Sequence, residues 1–189
     1  MKQGPMFSTL ERLARRLEDE EIPYAVVGGM ALNLHEYERM TRDIDILMTP
    51  AGVEKFIERC VGLGYVQAFR GARKSFRDTV SQTTIEVLIT GEYPGDGKAK
   101  PVSFPDPATA SVKVGNFRVI SKEKLVELKL ASGLTAPHRL RDLADVQDLI
   151  TTLDLPLDFE NKLDPSVRAE YRRLWELAQY KDDGPHERE

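Results

Sequence analysis

The 189-residue sequence predicts an α+β fold, a mixed sheet with helices packed on it and a helical C-terminal region after it. Three observations lead there. Short apolar runs of strand length at 24–27, 42–48 and 83–89 alternate in the first two thirds with segments of helical spacing. Gly- and Pro-dense stretches separate them. From Ser121 onward the apolar residues recur only at helical spacing. The expected organisation is a mixed-sheet core over 1–120, a helical region over 121–180 packed on it, and a disordered charged tail, KDDGPHERE, over 181–189.

Each element has a local cause. Ser8 with Glu11 three residues on has the pattern of a capping box, and Phe7, Leu10, Ala14 and Leu17 continue a helix that must stop before Pro23. Tyr24–Val27 is a short buried strand. The Gly28-Gly29 pair gives it a sharp exit, and Met30, Ala31 and Leu34 begin a helix at once. From Arg42 to Met48 acid and apolar residues alternate, with Ile44 and Ile46 on one face and Asp43, Asp45 and Leu47 on the other. Thr49-Pro50 opens a helix carrying Val53, Phe56, Ile57, Cys60 and Val61, which Gly62 and Gly64 close. Tyr65–Phe69, a basic segment, RGARKSFRD, and the strand TTIEVLI follow, the last with Glu86 in its middle. Residues 91–111 are dense in Gly and Pro, an irregular segment long enough to suggest flexibility or contact with a substrate. Gly115-Asn116 turns a small hairpin, and three helical runs complete the chain, the last entered through Asp164 and Pro165.

Composition narrows the classes. With 41% hydrophobic and 31% charged residues and a net charge of −4, the chain reads as an ordinary globular protein without a global basic field for nucleic acid. A single cysteine, Cys60, allows no internal disulfide, and no Cys/His spacing suggests zinc. The N-terminus turns charged too early for a signal segment, and nowhere do about 18 apolar residues run together. The expectation is a cytoplasmic protein without a membrane anchor.

The stretch VVGGMALNLHEYERMTRDIDILM carries the chemistry. Carboxylates beside a core must be paired or bound to metal. Glycines at a strand-to-helix junction let backbone N–H groups approach a phosphate. Asp43 and Asp45, two apart on a strand, project from one face about 6 to 7 Å apart between Cα atoms, a spacing that suits a shared metal site. Glu86, alone in an apolar strand, is the natural third carboxylate. Singly these features are common in structural roles; together and in this order they point to a nucleotide and a divalent metal, magnesium or manganese.

The same stretch resembles the signature of the nucleotidyltransferase superfamily, with its polymerase-beta-like fold, and its GGMAL…TRDIDI form is most similar to AbiEii-type toxins and related bacterial nucleotidyltransferase-like proteins. A second block, LVELKLASGLTAPHRLRDLADVQDLI, resembles that group's lysine motif and the paired acids after it, placing Lys129, Asp142 and Asp145 in those positions. The resemblance implies that Gly28 and Gly29 hold phosphates and that Asp43, Asp45 and Glu86 bind metal. It further implies that Glu86 accepts the proton of the attacking group and that Lys129 neutralises the triphosphate of an NTP substrate. The implied reaction is transfer of a nucleoside monophosphate, with RNA, and tRNA in particular, as the acceptor and a cognate antitoxin as a partner. A small molecule such as an aminoglycoside, a protein side chain, or a catalytically silent scaffold are the alternatives. The arginine that closely follows the lysine in related toxins is missing; the first one here is Arg139.

Several residues admit two readings. Lys129 fits a solvated helix position as well as a phosphate ligand, and Asp142 and Asp145 could pair with Arg139 or Arg141. Thr41 and Arg42 either touch phosphate or shape the strand entrance. Arg70, Arg73, Lys74 and Arg77, interleaved with Phe69 and Phe76, suit RNA or a plain solvated hairpin. His35, His138 and His186 have no metal-like spacing, and the stripe Val167, Tyr171, Leu174, Trp175, Ala178 is core or a partner contact.

Overall fold

In the computed structural model, which describes residues 4–180, seven strands form one sheet in the order β3-β4-β5-β2-β1-β7-β6. Its two central strands come from the first apolar runs. Strand β1 (Tyr24–Val27) is buried at every position and pairs antiparallel with β2 (Asp43–Met48). Strand β2 pairs parallel with β5 (Thr84–Ile89), and β1 pairs parallel with β7 (Phe117–Ile120). The edges are antiparallel: β3 (Tyr65–Gln67) and β4 (Ser75–Asp78) on one side, β6 (Ser111–Val114) on the other. The sheet is therefore mixed, as the sequence predicts.

Alternation assigns the two faces. Ile44, Ile46, Phe76 and Ile85 are fully buried and face helices α1 (Pro5–Asp19) and α3 (Pro50–Cys60). Phe56 of α3 meets Phe76 edge-on at 5.1 Å. The opposite face carries Asp43, Asp45 and Glu86 in register, so a polar face is left for chemistry while the other is sealed. Thr49 caps α3 as expected, its Oγ accepting from Gly52 N at 3.0 Å. The first helix departs from expectation: it begins at Pro5, and Ser8 lies inside it, donating its hydroxyl back to the Gly4 carbonyl. Proline at the first helical position needs no N–H partner and already has a helical φ, so it starts the helix a turn before the apparent capping box.

Helix α2 (Gly28–Leu34) leaves β1 directly, and a connection through Arg39 and Thr41 returns to β2. After β5 the chain stays irregular up to Asp106, which caps a single turn, α4 (Pro107–Ala110). This long segment is tied down: Phe104 N donates to the Glu92 carbonyl, and Lys100 donates to the Pro94 carbonyl and Thr135 hydroxyl. Gly95, at φ 73, lies against the backbone of α5, where a Cβ would sit 2.8 Å from the Ser132 carbonyl oxygen.

Helix α5 (Lys122–Thr135) is buried from Leu125 to Gly133, and α6 (Leu140–Thr152) and α7 (Pro165–Ala178) pack around it. A helix enclosed on all sides tolerates polar residues only if each has partners. Glu127 receives Lys124 Nζ and Asp164 N, and Lys129 and Ser132 both reach α6. The Tyr171 stripe of α7 packs inward, with Trp175 Nε1 donating to the Leu155 carbonyl. Cys60 is buried, and His35 is buried with its ring Nε2 2.7 Å from the Ile120 carbonyl. The expected tail at 181–189, with His186, lies outside the described residues. Among the described residues no helix is long and apolar enough to cross a membrane.

Candidate active site

The exit from β1 is shaped by two glycines that do different work. Gly28 has φ 61, a left-handed backbone, and a Cβ on it would run into the Asp45 carboxylate. Gly29 has ordinary backbone, yet a Cβ there would lie 2.8 Å from the Thr41 side chain. The turn is thus pressed against the acid strand on one side and against the Thr41 connection on the other. Thr41 continues the link by donating its hydroxyl to the Asp43 carboxylate at 3.0 Å. Thr41 thereby supports Asp43, and Arg42 beside it is exposed.

Strand register fixes the carboxylates. Asp45 lies beside Glu86 in the parallel pair β2–β5, and Ser75 of β4 lies beside Glu86 in turn. Adjacent strands are about 4.8 Å apart, so Asp45, Glu86 and Ser75 form one transverse row. Ser75 donates its hydroxyl to Glu86 at 2.7 Å. Burial above all, and then the charge of Asp43, push the Asp45 carboxyl up to about 7, with Glu86 adding to the effect and Lys129 opposing it. Three carboxylates concentrated this way are a donor set for a hard cation, which takes oxygen ligands. With Asp43 held by Thr41 and Glu86 by Ser75, no three acidic, His or Cys side chains among the described residues converge on one ion position.

A cleft of about 360 Å³ opens over Glu86. The sheet contributes Gly28 and Glu86, α5 contributes Leu125, Leu128 and Lys129, and the irregular segment after β5 supplies Tyr93, Pro94 and Phe104 as a wall. The long segment between β5 and α4 is therefore a built part of the site.

Lys129 is buried and donates to Asp142 at 2.9 Å and to Asp145 at 2.7 Å, so it is no solvated helix lysine. Burial works against ionisation of Asp142, but Lys129 and the Ser132 hydroxyl outweigh it and hold that carboxyl below the usual carboxylate value. Asp145 is shared with Arg39, whose Nε lies 2.9 Å away. Asn33 fixes Arg39 in turn, its side-chain amide bonding both the Arg39 carbonyl and N–H. Arg139, in the 3₁₀ turn Pro137–Arg139, pairs with Asp142 at 3.1 Å and lines the cleft. Arg39, Ser75 and Ser132 escaped sequence reasoning because their partners are distant in the chain; only the position of Arg39 just before TRDID offered a signal.

A mixed sheet carrying a glycine turn beside an Asp-x-Asp strand, with a lysine-bearing helix across the cleft, defines a nucleotidyltransferase. The chain belongs to the family described as uncharacterised nucleotidyltransferase, whose model matches residues 2–178. The fold is similar to that of the antibiotic-resistance enzyme ANT(2")-Ia in complex with adenylyl-2"-tobramycin, at TM-score 0.59 and 14% identity over 90% of this chain and 98% of that one. It is also similar to a Thermotoga maritima protein designated a nucleotidyltransferase (TM-score 0.52, 18% identity, 82% of this chain and 96% of that one). A nucleotidyltransferase-like antigen of Paracoccidioides brasiliensis matches at TM-score 0.51 and 14% identity, over 87% of this chain and 91% of that one. Among curated proteins no sequence matches significantly.

Proposed function

We propose that the protein transfers a nucleoside monophosphate from an NTP to a hydroxyl of RNA. The observation that carries the transfer chemistry is Glu86, set in the row Asp45–Glu86–Ser75 and lining one cleft with Gly28 and Lys129. The acceptor oxygen forms a bond to the α-phosphorus as the bond from that phosphorus to the bridging oxygen breaks, and pyrophosphate leaves. Glu86 takes the acceptor's proton, and Ser75 orients it. The Gly28-Gly29 backbone holds the phosphates closely because no side chain intervenes. Lys129, with Asp142 and Asp145 fixing its direction, meets the triphosphate charge, and Arg139 stands beside it. Magnesium or manganese would be held by Asp43, Asp45 and Glu86 once Asp43 turns from Thr41 and Glu86 from Ser75. When bound, the ion stabilises charge on the attacking and leaving oxygens.

The two-block resemblance to AbiEii-type toxins supports RNA, tRNA included, as acceptor, and a toxin role with a cognate antitoxin. It also supports reading 1–120 and 121–180 as the two parts that enclose the nucleotide. The test is incubation of the full chain with each α-labelled NTP, magnesium or manganese, and total RNA, total protein or an aminoglycoside. Label should enter RNA and be lost with Asp43→Ala/Asp45→Ala. Label in protein or aminoglycoside would overturn the RNA acceptor, and no label with no NTP binding would overturn the transfer reading.

A further inference from the structure

Glu86 divides the polar face of the sheet. On its β2 side lie Asp45 and Gly28, with Lys129 across the cleft, the side that the proposed function gives to the nucleotide. An acceptor whose proton goes to Glu86 must therefore come in over β4 and β3. Register shows what it meets there. Ser75 is opposite Glu86, Arg77 is opposite Thr84, and Thr84 is opposite Asp43. Arg77 therefore sits on the same face as the carboxylates, one row from Ser75, about 6 to 7 Å along the strand. Val66 of the edge strand β3 is opposite Arg77 and 42% exposed. In the β3–β4 connection, Phe69 is 67% exposed and Arg70 follows it.

The charges on this edge are of two kinds. Arg73 and Lys74 face Glu54 and Glu92 in exposed surface pairs, which hold little energy and can exchange for phosphate. Arg70 and Arg77 are exposed and have no acidic partner among the described residues. Lys74 also lines the cleft, so this basic edge is continuous with the reaction site. Phe76 does not belong to it: it is fully buried against Phe56, which corrects the sequence expectation of two interleaved aromatics. Cations along one edge with an exposed aromatic ring are what a single strand of nucleic acid uses, phosphates on the arginines and a base on the ring. A cationic small acceptor would be repelled by the same edge.

We infer that the acceptor RNA crosses β4 to reach Glu86, with Arg70 and Arg77 holding its phosphates and Phe69 stacking on a base. The inference rests on the transfer reading above and gives it an entrance path. Its test uses the full chain and a labelled single-stranded 12-mer oligoribonucleotide, with binding followed by anisotropy across salt concentrations. NTP binding is measured in parallel. Arg70→Glu/Arg77→Glu should weaken oligoribonucleotide binding by at least about tenfold and reduce the slope of log affinity against log salt by about 0.7 per lost contact. Lys113→Glu, an exposed lysine on the opposite edge strand β6, should do neither, and Phe69→Ala should weaken binding without changing the slope. NTP binding should be the same in all. Equal losses in Lys113→Glu and Arg70→Glu/Arg77→Glu, or no oligoribonucleotide binding by the parent, would overturn the path. Oligoribonucleotide binding that follows the expected pattern in a chain unable to bind NTP would support the path and contradict the transfer reading instead.

Discussion

At Gly28 a side chain has no room, because φ is 61 and the space a Cβ would take is held by the Asp45 carboxylate. Gly28→Ala should lower stability by about 1 to 2 kcal/mol from backbone conformation alone and cut transfer by about 100-fold, since moving a reacting group by an ångström has that scale of effect. Thermal unfolding and initial rates check it; an unchanged rate would remove Gly28 from the site. Asp45 makes a separate prediction. Its carboxyl is at about 7 in the folded chain against an ordinary 3.8, so the folded state binds this proton more tightly than the unfolded one. The stability this contributes is complete below about pH 4 and is lost as pH rises through about 7. Asp45→Asn removes that dependence, so in metal-free buffer the Tm difference should move in favour of the variant between about pH 5 and about pH 8. A difference that stays constant with pH would contradict it. These residues were legible in sequence because Gly pairs and Asp-x-Asp spacing announce themselves. The pairing of Asp45 with Glu86 was not, since residues on different strands acquire a common row only through register.

Among the elements, α5, α6, the connection before β2 and the 3₁₀ turn Pro137–Arg139 meet in one ion cluster, Arg39–Asp145–Lys129–Asp142–Arg139, buried at Lys129 and Asp145 and exposed at Arg139. Removing its centre takes one partner from each acid, leaving Asp145 with Arg39 and Asp142 with Arg139 and the Ser132 hydroxyl. Lys129→Met should cost about 3 to 5 kcal/mol, the usual penalty for removing one partner of a buried ion pair. Arg39→Ala leaves Asp145 its bond to Lys129 and should cost less, about 1.5 to 3 kcal/mol. Denaturant melts of both variants check the order, and an equal or inverted order would mean that Lys129 is not the centre. Sequence placed Lys129, Asp142 and Asp145 on helices, with Lys129 either solvated or on phosphate and the two acids either at the nucleotide or paired with Arg139 or Arg141, and the Arg139–Asp142 pair does form. That they hold each other depends on how α6 packs on α5, which no local spacing encodes. The segment at 91–111 shows the same limit: Gly and Pro density predicted irregular backbone throughout, which holds only up to Asp106, where α4 and then β6 follow, and its attachment through Lys100 and Gly95, which makes it a wall of the cleft, is tertiary.

At the scale of the molecule, most strands and helices were readable from alternation and helical spacing, while β4 lay in what read only as a basic segment and α4 in an expected loop. The exception at the first helix arose because Pro5 outweighed a capping pattern further on. The whole chain now makes two demands. An NTP that binds between the sheet and α5 must stabilise the fold by mass action, about 2.7 kcal/mol at 100 times its Kd; the shift should need magnesium or manganese and vanish in Asp43→Ala/Asp45→Ala. The second demand concerns which bond breaks, and it separates nucleotidyl transfer from phosphoryl transfer and from simple hydrolysis. Parallel reactions with α-labelled and γ-labelled NTP, metal and total RNA should put the α label, and none of the γ label, into RNA while the γ label leaves as pyrophosphate. Label from the γ position in the acceptor, or γ label released as orthophosphate with no α label incorporated, would contradict the account.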